Sequence, residues 1–465
     1  MSSSAVMPAS PPEDELKKRR LALIGGSLCN LVEWYDWFVY ASFSIYFATV
    51  FFPQGNLTAQ LLSTAVVFAV GFLIRPLGGW LLGIYADRYG RRNALSLSII
   101  MMGAGSLLIG ATPSFATIGL AAPILLIAAR LLQGLSVGGE FGTSATYLSE
   151  VATPGRRGFY SSFQYVSIVL GQLLALVVLI VLQQTLSEDQ MYAWGWRVPF
   201  FIGAAASLVV LYLRRTMDES THFEAEKEAE RKAAESGQKV RKGLSALLKE
   251  YPVQLFVVFA LAIGGTVSFY TWTTYMQKYL VNTSGISKSA ASIIIFCALV
   301  VFMCLQPVAG HISDRVGRRK VMGVFAVGGL LLTVPLMTAI GATSNPYAAF
   351  ALLLVPMVFL TCYTALAAIV KAEMFPTKVR ALGVGLPHAL VAATFGGTAE
   401  TVALALKQAG HESLFFWYIT VCVALTGIAV LLVKEPSRNS TLDQLPDPET
   451  VVAVPHDSPL RTHGR

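Results

Sequence analysis

Residues 83–92 have the sequence Gly-Ile-Tyr-Ala-Asp-Arg-Tyr-Gly-Arg-Arg, and residues 310–319 have the sequence Gly-His-Ile-Ser-Asp-Arg-Val-Gly-Arg-Arg. Each copy follows a long apolar segment, and the two copies lie about half a chain length apart. A second pattern of an acid, a proline and an arginine also occurs twice, at Glu150, Pro154 and Arg157 and at Glu373, Pro376 and Arg380. One basic turn arises easily by chance. Two pairs at equivalent positions indicate that the chain consists of two related halves.

Charged residues are scarce along most of the chain. Asp, Glu, Lys and Arg make up 13% of the 465 residues and hydrophobic residues 54%, whereas a soluble domain has about 25% charged residues. The longest stretches without a charge are 37–74, 93–129, 158–187, 251–277 and 321–370. Because a membrane-spanning helix needs about 20 apolar residues, we predict an integral membrane protein. This composition argues against a soluble enzyme, a disordered protein and a secreted disulfide scaffold.

Turn-forming residues divide the apolar stretches, notably at 53–56, 112–114 and 344–346. The segments between such breaks have the length of single membrane spans. The predicted helices are 24–50, 60–85, 94–112, 118–148, 158–185, 196–213, 254–281, 289–312, 322–342, 347–372, 381–407 and 413–433. The sequence therefore predicts an all-α membrane protein with twelve transmembrane helices.

Most of the 35 Lys and Arg residues fall in the tails and in alternate loops. Cytoplasmic loops carry an excess of Lys and Arg, and an even number of spans places both termini on the same side. Both termini are therefore predicted to be cytoplasmic, and the net charge of +8 needs no nucleic-acid partner. The predicted organisation is a disordered tail at 1–20, a six-helix bundle at 21–213, a linker at 214–250, a second six-helix bundle at 251–433 and a tail at 434–465.

The duplicated loop resembles the cytoplasmic motif between helices 2 and 3 of the major facilitator superfamily, whose plan is two six-helix halves. The resemblance implies a pseudo-two-fold fold, and we interpret the loops as a gate. Gly83 would permit close helix approach, and Asp87 would pair with arginines near a helix N-terminus. The residues assigned to the gate are Gly83, Asp87, Arg88, Gly90, Arg91, Arg92, Glu150, Arg157, Asp314, Arg315, Arg318, Glu373 and Arg380. The alternative is that Arg88, Arg91 and Arg92 only anchor the topology.

Further motifs resemble the metabolite:proton symporter family. They include residues 30–36 (Asn-Leu-Val-Glu-Trp-Tyr-Asp), 75–79 (Arg-Pro-Leu-Gly-Gly) and 138–143 (Gly-Gly-Glu-Phe-Gly-Thr). Within that family, residues 275–279 and 371–376 most resemble the α-ketoglutarate (2-oxoglutarate) permeases. The resemblance covers about residues 21–434 and implies a proton-coupled symporter that imports a dicarboxylate by alternating access. The alternative substrates are citrate, shikimate and the osmolytes proline and betaine.

Several ionisable residues fall inside predicted spans. Such a group costs roughly 3 kcal/mol or more at membrane depth, so it is expected to face a cavity or a partner. At about 100° per residue, Glu33, Asp36, Trp37 and Tyr40 share one face of the first helix. Arg130, Gln133 and Glu140 likewise share a face of the fourth.

A dicarboxylate needs two cationic anchors, and arginine matches carboxylate geometry with two parallel donors. The predicted substrate-binding residues are Arg75, Arg130, Lys371, Lys278, Gln164, Tyr40, Tyr270, Tyr275 and Arg197. Three of these cations have a second interpretation. Arg197 and Lys278 lie near the outer ends of their helices and would then only extend towards the outer membrane surface. Lys371 would be a topology anchor near the cytoplasmic end.

Proton coupling needs an acid that gains and loses a cationic partner, since burial and a nearby arginine act oppositely on its ionisation. The resemblance to sugar and metabolite symporters favours Asp36 with Arg130, and our hypothesis is that protonated Asp36 frees Arg130 for the substrate. Glu33 and Glu140 are the alternative acids. The sequence contains no phosphate-binding Gly-x-x-x-x-Gly-Lys-Ser/Thr motif. An ATP-driven pump is therefore not expected. We predict no cofactor, and we predict an organic anion, protons and the lipid bilayer as partners of a functional monomer. A non-transporting sensor on the same scaffold is the alternative class.

Overall fold

The computed structural model describes residues 13–89, 91–137, 152, 155–215, 243–376 and 379–433, and within these ranges it contains helices and no strands. Long helical segments follow one another along the chain. We name them α1 (Glu13–Phe51), α2 (Leu57–Leu73 and Arg75–Tyr89), α3 (Arg91–Ala111), α4 (Ala121–Ser136), α5 (Arg157–Thr185), α6 (Val198–Arg215), α7 (Pro252–Phe269, Tyr270–Tyr275 and Met276–Asn282), α8 (Lys288–Val316), α9 (Arg318–Gly341), α10 (Pro346–Thr364 and Ala367–Ala372), α11 (Arg380–Val391, Ala392–Gly396 and Ala399–Gln408) and α12 (Ser413–Leu432).

Ten of these segments are long and apolar enough to cross a membrane. The other two are α4, a shorter apolar helix of 16 residues, and α1, which has 39 residues. The described part of the chain thus contains the twelve predicted spans. The all-α prediction is confirmed.

Two predicted boundaries are wrong. The helix predicted to begin at residue 118 begins instead at Ala121 as α4 and is preceded by a short helix, Phe115–Ile118, because Gly119 adopts a left-handed conformation (φ +58°) that ends the short helix. Residues 138–150 lie outside the described ranges. The first helix begins at Glu13 and not at the predicted residue 24, so residues 13–20 of the predicted tail are helical. Part of the predicted linker, Gly243–Glu250, is also helical.

Polar side chains fix where several helices begin. Asn56 accepts a hydrogen bond from the backbone N–H of Ala59 at the start of α2, and Ser287 accepts one from Ala290 at the start of α8. Asn345 does the same for the first turn of α10. These side chains satisfy backbone donors that have no partner within the helix.

The two halves contact each other chiefly along two helix pairs, α5 with α8 and α2 with α11. Between α5 and α8, a Cβ atom added at Gly310 would lie 2.5 Å from the carbonyl oxygen of Gly158. Between α2 and α11, a Cβ atom added at Gly397 would lie 2.4 Å from the Cβ atom of Phe72. Glycine is therefore required where the halves approach most closely.

Helices α7 and α11 are each interrupted by a π-helical turn, at Tyr270–Tyr275 and at Ala392–Gly396. Such turns occur frequently at functional sites because they displace backbone groups and re-aim side chains. In α7 the carbonyl of Thr273 accepts a hydrogen bond from Gln172 Nε2 of α5 at 2.8 Å. The interruption thus joins the two halves within the membrane region.

Candidate functional site between the two halves

Arg130 of α4 is completely buried among aromatic rings. Its guanidinium carbon lies 4.0 Å from the ring centroid of Trp37, 4.4 Å from that of Tyr40 and 5.3 Å from that of Phe68. Its Nη1 donates to Gln133 Oε1 at 2.6 Å, while Nε and Nη2 have no hydrogen-bond partner among the described residues. A buried donor without a partner costs about 1–3 kcal/mol. The guanidinium is therefore ready to donate to an anion.

Asp36 of α1 is also completely buried. Neither of its carboxylate oxygens has a hydrogen-bond partner among the described residues. Ser106 of α3 and Arg130 are the neighbouring groups that act on its charge. On its other side, a Cβ atom added at Gly203 of α6 would lie 1.8 Å from Asp36 Oδ1. In this structure the predicted Asp36–Arg130 interaction is therefore electrostatic, without a direct ion pair.

Gln133 lies between these two charged residues. Its side-chain oxygen accepts from Arg130, and its Nε2 donates to Ser106 Oγ at 2.8 Å. Gln133 and Arg130 meet because residues three apart share one face of a helix. Both Gln133 and Ser106 are completely buried.

Arg75 begins the second segment of α2 and contacts the same indole ring as Arg130. Its guanidinium carbon lies 3.8 Å from the ring centroid of Trp37 and 4.0 Å from that of Phe72. Tyr270, in the π turn of α7, faces Arg75 from the other half and packs edge-on against Phe72. The structure therefore brings Arg75, Arg130 and Tyr270, predicted as substrate ligands, to one place.

Lys371 adds a cation from the second half. Its side chain is 1% exposed, and its Nζ lies 3.2 Å from His388 Nδ1 of α11. Lys371 and Arg75 both act electrostatically on His388, so the three groups belong to one cluster across the halves. A topology anchor would lie at the membrane surface, whereas the side chain of Lys371 is buried.

Lys278 forms an ion pair inside the second half. Its Nζ lies 2.5 Å from Glu400 Oε1, and the two side chains are 2% and 5% exposed. Lys278 follows the π turn of α7 closely, and Glu400 follows that of α11. Because Lys278 is buried and paired, it does not extend towards the outer membrane surface. A role in substrate binding requires this pair to open.

The remaining predicted ligands have distinct surroundings. The hydroxyl of Tyr40 donates to the carbonyl of Thr64 at 3.0 Å, so it stacks over Arg130 with its polar end already bonded. Tyr275 packs edge-on against Phe415 and lies within electrostatic range of Glu400, so it belongs to the Lys278 region. Gln164 is buried on α5.

Arg197 lies outside this central cluster, and its prediction as a substrate ligand is not supported by its position. Its Nη1 donates to the carbonyls of Gly110 and Thr112 at 2.7 and 2.6 Å, and its guanidinium stacks on Trp196. These carbonyls end α3 and have no partner within the helix. Arg197 also lines a separate cavity of about 440 Å³ beside Pro53 and Pro113. Its observed role is to cap a helix.

The two alternative proton carriers differ in what the structure says about them. Glu33 is 7% exposed and accepts a long hydrogen bond of 3.4 Å from Ser98 of α3. Glu140 lies outside the described residues, as do Glu150 and Gly90 of the predicted gate.

The second copy of the duplicated loop joins the two halves. Asp314, at the end of α8, accepts hydrogen bonds from the backbone N–H groups of Gly158 and Phe159 at 2.8 and 3.0 Å. These two groups belong to the first turn of α5, where the helix dipole favours a carboxylate. Asp314 therefore caps a helix of the opposite half, an arrangement that suits a gate.

Arg318 and Arg380 secure the neighbouring segments. Arg318 forms a two-fold contact with Glu373, at 2.7 Å through Nε and 2.9 Å through Nη2, and also lies 3.2 Å from Asp314. Such paired contacts are the strong form of an arginine–carboxylate interaction. Nε of Arg380 donates to the carbonyls of Ala372 and Phe375. Arg157, at the start of α5, is partly buried.

The first copy of the duplicated loop is less closely packed at its first glycine than the second copy. Gly83 is exposed, and a Cβ atom added there would meet no atom of the described residues within 4 Å, so in this conformation those residues show no close helix approach at Gly83. The glycine that lies at a close helix approach is its counterpart Gly310. Arg88 and Arg315 are both exposed, while the side chains of Asp87, Arg91 and Arg92 lie outside what the structure describes.

Sequence reasoning missed or undervalued three residues of the site. Glu400 and His388 lie within the predicted span 381–407, but no motif in the sequence assigns them to the site. A serine in an apolar helix, such as Ser106, has no pattern that marks it. All three depend on contacts between helices that only the fold establishes.

Comparison with known proteins places this architecture in a family. Residues 22–446 match the family described as sugar (and other) transporters. The chain is 49% identical to the alpha-ketoglutarate permease of Escherichia coli K12, over 92% of this chain and 96% of that protein. It is 35% identical to the citrate-proton symporter of Salmonella typhi, over 86% and 90%, and 32% identical to the proline/betaine transporter of Escherichia coli K12, over 91% and 85%.

Solved structures agree on the fold. The crystal structure of a D-xylose-proton symporter superposes with a TM-score of 0.70, covering 90% of this chain and 98% of that one at 19% identity. At this level of identity the likeness concerns the fold alone. With twelve spans in two halves and a match over almost its whole length, the chain belongs to the sugar (and other) transporter family of the major facilitator superfamily and is a multi-pass membrane transporter, not an enzyme.

Proposed function

We propose that this protein imports 2-oxoglutarate together with protons across the bacterial inner membrane by alternating access. The name of its 49% identical relative supports this substrate. The observation that carries the proposal is the state of Arg130, whose guanidinium is completely buried with two N–H groups that have no partner among the described residues. A carboxylate is the acceptor that best satisfies two parallel guanidinium donors.

The cations of the site suit an anion with two carboxylates. Arg130 and Arg75 belong to the first half, whereas Lys371 belongs to the second half and contacts His388. A dicarboxylate held by an arginine at one end and by Lys371 at the other would draw the halves together. Substrate binding would then favour the conformation in which both halves contact it. A zwitterionic osmolyte, with one carboxylate, would leave part of this charge without a partner.

Asp36 is proposed to carry the coupled proton. Its carboxylate is buried and unpaired among the described residues, and it lies where Arg130 acts on its charge. If protonation of Asp36 strengthens substrate binding at Arg130, substrate binding must strengthen protonation to the same extent. That reciprocity is what a symporter requires.

The membrane potential limits the number of protons. Moving one charge against 100 mV costs about 2.3 kcal/mol. A dianion that enters a negative-inside cell with one proton is still opposed by the potential, whereas two protons make entry electroneutral and a third makes the potential favourable. We propose at least two protons for each 2-oxoglutarate.

The orientation and the assembly complete the proposal. Both termini are proposed to lie in the cytoplasm, which the distribution of Lys and Arg supports. The contact of Asp314 with the first turn of α5 would then close the cytoplasmic side. A single chain contains all the proposed ligands, so the functional unit is proposed to be a monomer.

Uptake into proteoliposomes tests this function. With the pH gradient and the voltage imposed separately, an inward proton gradient is expected to drive accumulation of labelled 2-oxoglutarate. Unlabelled 2-oxoglutarate should compete better than citrate, shikimate or betaine. If citrate or betaine competes more strongly, that compound would take the place of 2-oxoglutarate as the proposed substrate. If 2-oxoglutarate accumulates without a proton gradient, the proposed proton coupling would be wrong.

The variant Asp36→Asn tests the proton carrier. It is expected to exchange 2-oxoglutarate across the membrane at close to the wild-type rate and to lose proton-driven accumulation, because an amide cannot be ionised. Asp189→Asn, which neutralises an exposed carboxylate in the short helix Glu188–Ala193, is the matched control and should retain both activities. Accumulation that survives in Asp36→Asn would transfer the role to another acid.

A further inference from the structure

The hydrogen bonds around Gln133 have a fixed direction. A guanidinium can only donate, so the bond of 2.6 Å from Arg130 Nη1 sets the side-chain oxygen of Gln133 towards Arg130. The amide nitrogen of Gln133 must then face the other way, where it donates to Ser106 Oγ at 2.8 Å. Ser106 is thereby an acceptor in this bond and keeps its own hydroxyl proton for another partner.

The Asp36 carboxylate is the acidic group that faces Ser106. Both of its oxygens are buried and accept no hydrogen bond from the described residues. Arg130, Gln133 and Ser106 are thus hydrogen-bonded in sequence. The hydrogen bond that would join Ser106 to Asp36 is not formed. Completing it would give a continuous chain in which every donor points from Arg130 towards Asp36.

Close packing holds the members of this chain in place. A Cβ atom added at Gly105, next to Ser106, would lie 2.5 Å from Gln133 Cγ. Gly203 similarly confines Asp36 from the side of α6. The glutamine and the carboxylate therefore have little freedom to find other partners, which is the condition for a defined relay.

The other charged and titratable groups near Asp36 do not link it to Arg130 through hydrogen bonds. Besides Arg130, the group that interacts electrostatically with it is Tyr35 of its own helix, and the hydroxyl of Tyr35 donates to the carbonyl of Pro199 at 3.1 Å. Arg75 acts on Arg130 and not through Ser106. Among the described residues, the side-chain hydrogen bonds that lead from Arg130 towards Asp36 run through Gln133 to Ser106.

We propose that Ser106 and Gln133 are positioning residues that transmit the protonation state of Asp36 to Arg130. When Asp36 is ionised, it accepts the Ser106 hydroxyl, and the completed chain holds Arg130 on Gln133. When Asp36 is protonated, this link opens, the chain weakens, and Arg130 turns its donors to the substrate carboxylate. The inference rests on the proposed function, since it assigns a path for the coupling at that site.

Transport by Ser106→Ala in proteoliposomes separates coupling from binding. A hydrogen bond in a chain that ends on charged groups is worth about tenfold in an equilibrium. We therefore expect Ser106→Ala to lower the proton-driven accumulation ratio of 2-oxoglutarate about tenfold, with exchange retained. Ser106→Thr, which keeps the hydroxyl, should restore accumulation. Ser44→Ala is the control, because Ser44 is equally buried and bonds a carbonyl of its own helix.

A second measurement needs no substrate. Trp37 contacts Arg130 directly, so movement of Arg130 should change the fluorescence of Trp37 as the pH changes. We expect a pH-dependent change in the wild type that is absent in Trp37→Phe, is lost in Ser106→Ala and is kept in Ser106→Thr and Ser44→Ala.

The outcomes are distinguishable. A wild-type protein that does not accumulate 2-oxoglutarate would end the proposed function, while the fluorescence comparison would still decide the relay. Unchanged accumulation or an unchanged fluorescence response in Ser106→Ala would overturn the relay. The relay would also be overturned if Ser106→Ala lost exchange and accumulation equally and Ser106→Thr did not restore them. A purely structural role of Ser106 predicts that result.

Discussion

The two halves treat their buried charges differently. In the second half, Lys278 is in direct contact with Glu400, and Arg318 forms a two-fold contact with Glu373. In the first half, Arg130 and Asp36 are equally buried but do not contact each other, and neutral side chains lie between them. A pair in direct contact neutralises itself, whereas a separated pair leaves each member able to take another partner.

This difference suggests that the two halves have different roles. The open N–H groups of Arg130 and the unpartnered carboxylate of Asp36 are suited to binding an anion and a proton in turn. The ion pairs of the second half fix the positions of α7, α11 and the α8–α9 loop around that site. The duplicated loops differ in the same way, since Gly310 is tightly packed and Gly83 is not.

The largest expected effect comes from breaking the Lys278–Glu400 pair. Lys278→Met would leave Glu400 buried without a cation, and removal of one partner from a buried pair costs about 3–5 kcal/mol. The thermal unfolding midpoint of the purified protein should therefore fall by several degrees.

The double variant Lys278→Met/Glu400→Leu is the control for this prediction. Replacing both partners of a buried pair by apolar groups is often close to neutral, so the double variant should recover most of the lost stability. If Lys278→Met alone is as stable as the wild type, the pair is not a fixed element. The contrast between the halves would then fail.

The twelve-helix fold and the location of several charges could be predicted because they depend on local composition. Lengths of apolar segments determine the spans, and a charge inside a span must face a partner or a cavity. The identity of that partner could not be predicted. Arg197 and Arg130 look alike in sequence, yet one caps α3 and the other faces the centre, because contacts between distant helices decide their environments.

The duplicated loops offer a matched pair of substitutions with an intermediate effect. Gly310→Ala would place a methyl group against the backbone of Gly158, and overpacking of this kind costs about 1–3 kcal/mol. Since the contact joins α8 to α5, we expect slower transport and a weaker association of the halves at this end.

Gly83→Ala is the matched control, because a methyl group there meets no atom of the described residues within 4 Å. Transport rates of the two variants in proteoliposomes, with the amount of inserted protein measured, check the prediction. Equal effects of the two substitutions would mean that the duplicated loops contribute alike over the transport cycle, and the asymmetry would then belong to one conformation only.

The smallest expected effect concerns Arg197. This arginine belongs neither to the separated pair Arg130 and Asp36 nor to the ion pairs of the second half. Arg197→Gln would weaken the hydrogen bonds to the carbonyls of Gly110 and Thr112, and each such bond contributes about 1 kcal/mol. The unfolding midpoint should fall slightly, while the KM for 2-oxoglutarate stays at the wild-type value because Arg197 lies outside the central cluster. Arg130→Gln provides the comparison, since it should raise KM strongly by removing the donors that face the anion. A large rise of KM in Arg197→Gln would place this arginine on the substrate path after all, and the site would then extend from the centre to the cavity beside Pro53 and Pro113.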